Sequence, residues 1–135
     1  MSKFIGKIIF AIDTVRGQRP KLQYDAVKQM LDAKGLLFEE TFGVYLHDDG
    51  TKVKETTFVV EWTNTEAYRA SKAIAEMFNQ ESILLVDSDE KCYIRKLDQR
   101  TEDYVGKWTK VENIKDLDET KPYTRIGDNY YVAKI

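Results

Sequence analysis

Two periodicities follow one another along this chain in an order that few folds accept. Residues 4–12 alternate, with Phe4, Ile8, Phe10 and Ile12 to one side and Ile5, Ile9 and Ala11 to the other, so both faces are apolar. That pattern predicts a central strand covered on both sides. Residues 14–23, with Gly17 and Pro20, read as a loop of mixed charge, and from Tyr24 the period lengthens to that of a helix. Val27, Met30 and Leu31 share its apolar side, and Gly35 supplies the stop. Two strands rich in aromatic and β-branched residues follow at 36–47 and 53–62, joined by Asp48-Asp49-Gly50. Thr63, Asn64 and Thr65 offer N-caps to a second helix over 66–79, with Ala70, Ala73, Ile74, Met77 and Phe78 as its stripe. A further strand pair, 82–87 and 91–97, surrounds Ser88-Asp89-Glu90.

The order β-α-β-β-α-β predicts an α+β ferredoxin-like sandwich, with two helices on one face of an antiparallel sheet and the other face open. Its core spans about residues 3–98 of a single domain, and 99–135 form a C-terminal β extension ending in a hairpin, 123–126 and 130–134, about Gly127-Asp128-Asn129.

Parity assigns the faces. In 53–62 the helix-facing set is Phe58, Val60 and Trp62, because the other set contains Glu55 and Glu61. Phe38, Phe42, Val44 and Leu46 point the same way from the preceding strand, which leaves Gly43, Tyr45 and His47 on the open face with Glu55. A turn with an odd number of residues, such as 49–51, sets Tyr45 directly across from Glu55 and Gly43 across from Thr57. A phenol and a carboxylate then lie within hydrogen-bonding reach beside a glycine that leaves room for approach. The plainer reading is a solvated sheet face. Against it stand Ile5, Ile9 and Ala11 on the same face, an apolar area that predicts packing on another subunit and a site at that boundary.

Composition removes several function classes. Charged residues make up 33% with a net charge of -2 and mixed signs, so nucleic acid is not an expected partner. The apolar run Ile8–Ile12 is too short to span a membrane, and a cytoplasmic location is expected. One cysteine, Cys92, and one histidine, His47, make neither an internal disulfide nor a zinc site, and no metal is expected. Cys92 reads as a packed small hydrophobe, and His47, Trp62 and Phe78 as solvent-facing, core and core respectively.

Taken in order, these residues resemble the bacteriophage S-adenosylmethionine lyases, small anti-restriction enzymes long called S-adenosylmethionine hydrolases. The likeness runs through an opening apolar strand, a polar loop with Arg16, a helix, Gly35-Leu36, Tyr45, a turn, and Glu55 before Thr57 and a β-branched run. It continues through an alanine-rich helix and the join Phe78-Asn79-Gln80-Glu81-Ser82. The resemblance implies a ferredoxin-like homotrimer with sites between subunits, S-adenosylmethionine as substrate, and no metal or added cofactor. Tyr45 and Glu55 match the family's tyrosine and glutamate on paired strands, and Gln80 its glutamine at the helix-to-strand junction. Glu55 would then bind the ammonium or the ribose hydroxyls, with Tyr45 orienting it. Gln80 would hold the amino-acid end or merely cap the helix, and Arg16 would meet the carboxylate or remain a surface arginine. Hydrolysis to homoserine, and a non-enzymatic trimeric module that binds a metabolite and signals, are the competing expectations.

Overall fold

Strand β1 (Gly6–Ile12) buries both of its faces, as its two apolar sides require. The structure, a computed structural model, describes residues 5–12, 20–46, 52–98, 101–113, 115, 117 and 122–135. Helix α1 (Pro20–Ala33) begins at Pro20, not near Tyr24. A proline at the first helical position sacrifices no hydrogen bond, and its fixed φ suits the helix, so the residue expected to prolong the loop opens the helix instead. The stop at Gly35 has φ +69°: its N–H donates to the Asp32 carbonyl at 2.9 Å, and the Leu36 N–H to the Leu31 carbonyl at 3.1 Å. These are the two bonds of a Schellman ending, and Leu31 and Leu36 join the same apolar cluster.

Strands β2 (Phe38–Leu46) and β3 (Lys52–Trp62) lead to α2 (Thr65–Met77), capped by Asn64, whose side-chain oxygen accepts the Ala67 N–H at 2.8 Å. The helix buries Ala67, Ser71, Ile74 and Ala75; of the expected stripe Ile74, Ala70 and Phe78 pack on the core, whereas Ala73 is exposed and Met77 is 61% exposed. Small residues at i, i+4 and i+8 let the helix axis come close to the sheet, a gain that a count of hydrophobicity overlooks. Then come β4 (Ser82–Val86), β5 (Lys91–Lys96), β6 (Thr101–Lys110), β7 (Tyr123–Ile126) and β8 (Asn129–Lys134).

The open ferredoxin-like sandwich is overturned. The eight strands form a closed antiparallel barrel in the order β1-β3-β2-β7-β8-β6-β5-β4. Strands from the presumed extension complete it: β6 continues from β5, β8 from β6, and β7 joins β8 to β2. The face expected to stay open is therefore the barrel interior. Ile9, Val59, Val86, Cys92 and Trp108 pack there against Leu84, Ile126, Tyr131 and Ala133, and the Trp108 and Tyr131 rings stack at 5.1 Å and 2°. A second core lies outside the barrel, where Ile8, Phe10, Phe58 and Val60 meet Val27 and Leu31 of α1 and Ile74 of α2. Closure removes the exposed edges and the wetted face that an open sheet would carry.

Closure depends on a bulge. Cys92 pairs with Gly106 but Tyr93 with Tyr104, leaving Val105 as the extra residue on β6. Gly106 has φ +129°, and a Cβ there would lie 2.6 Å from the carbonyl carbon of Lys134 on β8. Gly106→Ala is expected to cost about 2–4 kcal/mol in urea unfolding, because strain and overlap combine. Gly35→Ala, with positive φ but nothing within 4 Å, should lose only roughly 1–2 kcal/mol.

Burial inside the barrel, aided by the Asp87 and Glu90 carboxylates, pushes the Cys92 thiol up to about 12 from 9.0. A folded-state value above the unfolded one means that the unfolded chain releases its proton first. The contribution of Cys92 is thus complete below pH 9 and is lost as pH rises toward 12. Cys92→Ala should flatten the fall in stability across that window. A thiol reagent at pH 8 should label the native protein slowly and the denatured protein at once.

Candidate functional site

β2 and β3 place the sequence-predicted pair on one face, but not directly opposite each other. The ladder runs from Phe38–Val60 to Leu46–Lys52, so residues 47–51 lie between the strands, Tyr45 faces Val53, and Gly43 faces Glu55. A slide of two residues preserves every face, and the alternation from which the register was read cannot detect it. Tyr45 and Glu55 are therefore diagonal neighbours, whose Cβ atoms lie roughly 7–8 Å apart in such a ladder, within reach of a long and an aromatic side chain. The side chain of Tyr45 lies outside the described residues, as do Arg16 and His47.

Glu55 is 9% exposed and points into the barrel with Thr57 and Val59, since Phe58 and Val60 on the alternate positions face the helices. The buried Thr57 hydroxyl donates to the Glu55 backbone carbonyl at 3.1 Å. Pairing continues from Gly43 to Thr124 on β7 and from Thr124 to Tyr131 on β8. Thr124, 2% exposed, was missed in the sequence because the hairpin containing it reads as an appendage to the core. The alternation from Tyr123 to Ile126 is the signal that was available.

Gln80 stands before β4. The ladders Ile9–Leu84 and Ala11–Thr57 put the start of β4 at the same end of the barrel as Glu55, with β1 between them. Asn79 has φ +58°, the Gln80 N–H donates to the Ala75 carbonyl at 2.9 Å, and its side-chain amide donates to the Phe78 carbonyl at 3.2 Å. The Gln80 backbone and side chain thus both bond to the end of α2, at the same end of the barrel as Glu55.

The face holding Ile9 and Ala11 does not await a second subunit, since both are buried within the one chain. Glu55, Gly43 and Thr124 are likewise brought onto one row within the one chain. A pocket of about 420 Å³ opens at the opposite mouth, between Ile5, Leu37, Val59 and Ile126. Its size suits a small molecule. Its charges, however, are committed: Lys7 pairs with Glu61 at 2.7 Å, and both Glu39 oxygens accept the Gly127 N–H at 3.2 Å. The other mouth brings the buried Glu55 together with Gly43 and Thr124. Among the described residues no three His, Cys, Asp or Glu side chains converge as metal ligands, and no helix is long and apolar enough to cross a membrane.

A barrel end with a buried carboxylate suits a cationic or hydroxyl-bearing ligand better than a polyanion, and the chain's homology points the same way. No curated protein matches the sequence. The family model described as the S-adenosylmethionine lyase family matches residues 17–134, which takes in both helices, the β2–β3 hairpin and all three closing strands. By that match the chain belongs to the S-adenosylmethionine lyase family.

Proposed function

We propose that the chain cleaves S-adenosylmethionine to 5'-methylthioadenosine and homoserine lactone, with Glu55 positioning the substrate. The observation that carries this reading is a carboxylate held 9% exposed inside the barrel, across from Gly43, in a member of this family. The substrate brings both reacting partners. A carboxylate oxygen attacks Cγ, the Cγ–S bond breaks, and its electron pair stays on sulfur, leaving a neutral thioether and a lactone whose α-ammonium is unchanged. No proton moves and no water is consumed. Opposite charges merge in the transition state, so a site poor in water favours it. Folding the methionyl chain into the ring-closing conformer supplies the remainder through proximity.

Glu55 is a positioning group in this scheme. A carboxylate beside the sulfonium would stabilise the reactant more than the transition state, so its useful contacts are with the ammonium or the ribose hydroxyls. Tyr45, diagonal to it, would orient the carboxylate, and Gln80 would meet the amino-acid end once its amide leaves the Phe78 carbonyl. In a cell the reaction depletes a methyl donor, which would serve an anti-restriction role. The homotrimer rests on the resemblance alone, now that Ile9 and Ala11 are interior. Light scattering should give about three times the 15.7 kDa chain mass if that inheritance holds, and the chain mass if it does not.

The purified protein, incubated with S-adenosylmethionine in oxygen-18 water and quenched early, should yield unlabelled lactone. Homoserine carrying label before any lactone forms would establish hydrolysis instead. Glu55→Gln should lower kcat/KM by an amount on the order of 2–5 kcal/mol, the usual loss of a desolvated ionic contact. Tyr45→Phe should lose roughly 0.5–1.5 kcal/mol, and the double variant less than the sum, since both act through one carboxylate. Glu76→Gln, in an exposed pair with Lys72 on α2, is the control and should match the parent. Full activity in Glu55→Gln would remove the carboxylate from the mechanism.

A further inference from the structure

The barrel wall opens where β2 and β7 diverge. Their ladder consists of Gly43 with Thr124 and Val44 with Tyr123, and among the described residues 38–42, which precede it on β2, pair with β3 alone. Continued in register, Thr41 would meet Ile126 and Glu39 would meet Asp128. Instead the Glu39 carboxylate reaches across, both oxygens accepting the Gly127 N–H at 3.2 Å, so a side chain bridges the strands where a main-chain ladder would run. The pocket of about 420 Å³ occupies this divergence, with Leu37 and Phe38 to the β2 side, Ile126 to the β7 side, and Ile5 and Val59 completing its walls. Leu37 is 71% exposed and Ile5 48%, yet the Leu37 carbonyl accepts the Glu61 N–H at 2.9 Å, so this apolar rim is held in place.

We propose that this slot between β2 and β7 binds the base of an uncharged nucleoside. Exposed apolar side chains gathered around a concavity of this size mark a small-molecule surface. Its charged side chains are already matched, Lys7 with Glu61 and Glu39 with Gly127, so a charged ligand would have to break a pair and an uncharged one would not. The edge of β2 that turns from β7 offers main-chain N–H and C=O groups in alternation, and a flat ring with a donor beside an acceptor satisfies such an edge. A nucleobase combines apolar faces, no charge and that donor–acceptor edge. The slot is separate from the row of Glu55: Val59 follows Glu55 by four positions along β3, roughly 13 Å, and the buried Thr57 stands between them. The inference does not need the lyase reading, although the reaction proposed above releases a neutral nucleoside of this class, 5'-methylthioadenosine.

The test titrates the full chain, Leu37→Ser and Ile5→Ser with 5'-methylthioadenosine by calorimetry, and follows amide exchange of the parent with and without the nucleoside. Both substituted side chains are exposed, so both variants should melt within roughly 2 °C of the parent. Each should bind the nucleoside roughly three- to tenfold more weakly, as for one apolar wall removed. Adenosine 5'-monophosphate, the same base with a dianion, should bind the parent at least about fivefold more weakly beside Glu39 and Glu61. Amide exchange within residues 38–42 should slow when 5'-methylthioadenosine is bound. A parent that gives no binding heat overturns the proposal, as do parental affinities in both rim variants. If one variant does not fold, the other decides. Protection confined to the strands around Glu55 would place the nucleoside at the other mouth and overturn it too, and a monophosphate that binds as tightly would overturn the uncharged class. Cleavage of S-adenosylmethionine is assayed separately: a parent that binds the nucleoside through this rim without cleaving upholds the slot and removes only the lyase reading.

Discussion

The ladder between β2 and β7 is only two pairs long, Gly43 with Thr124 and Val44 with Tyr123, and the architecture depends on it. Its few hydrogen bonds are each worth on the order of 1 kcal/mol net. What they secure is much larger, because this seam keeps water from the apolar interior around Ile9, Val59 and Trp108. Outside the seam, the Phe42, Tyr123 and Tyr130 rings meet edge to face at 5.6–6.4 Å, with the Lys54 ammonium 4.1 Å from the centre of Phe42. These contacts reinforce the joint from the solvent side. The seam also adjoins the candidate site, since Gly43 pairs with both Thr124 and Glu55.

One chain thus supports two cores that share three strands. β1, β3 and β4 present Ile8, Phe58 and Leu85 to the helices and Ile9, Val59 and Val86 to the barrel. Helices on one side and closing strands on the other therefore stabilise the same ladder, and strain in either is felt by both. The requirement for Gly106 follows from this economy. β6 must bend sharply enough to reach β8, and the bulge at Val105 with a positive φ at the next residue accomplishes that within one turn of backbone.

The two mouths of the barrel differ in which polar groups line them. At one, Lys7 and Glu61 neutralise each other and Glu39 is tied to a main-chain N–H. At the other, a carboxylate is buried beside a glycine and a threonine hydroxyl. For the reaction proposed above, which merges a sulfonium with a carboxylate, a dry and shaped enclosure matters more than an acid or a base.

The sequence by itself determined the local structure and the faces. Period-two and helical stretches located β1 through β5 and both helices, Asn64 and Gly35 their ends, and parity put Tyr45, Gly43 and Glu55 on one side of the sheet. It also carried the family, through motifs in a fixed order. Tertiary structure alone decided the register, because sliding β2 by two residues along β3 changes no face and leaves alternation silent. It alone decided closure as well. β6, with its charged residues and a glycine that interrupts alternation, reads as tail, and only non-local pairing with β5 and β8 makes it a strand. From that pairing follows the largest difference of all: an apolar sheet face resembles a subunit interface in one dimension, and becomes the inside of a barrel when strands from the end of the same chain fold across it.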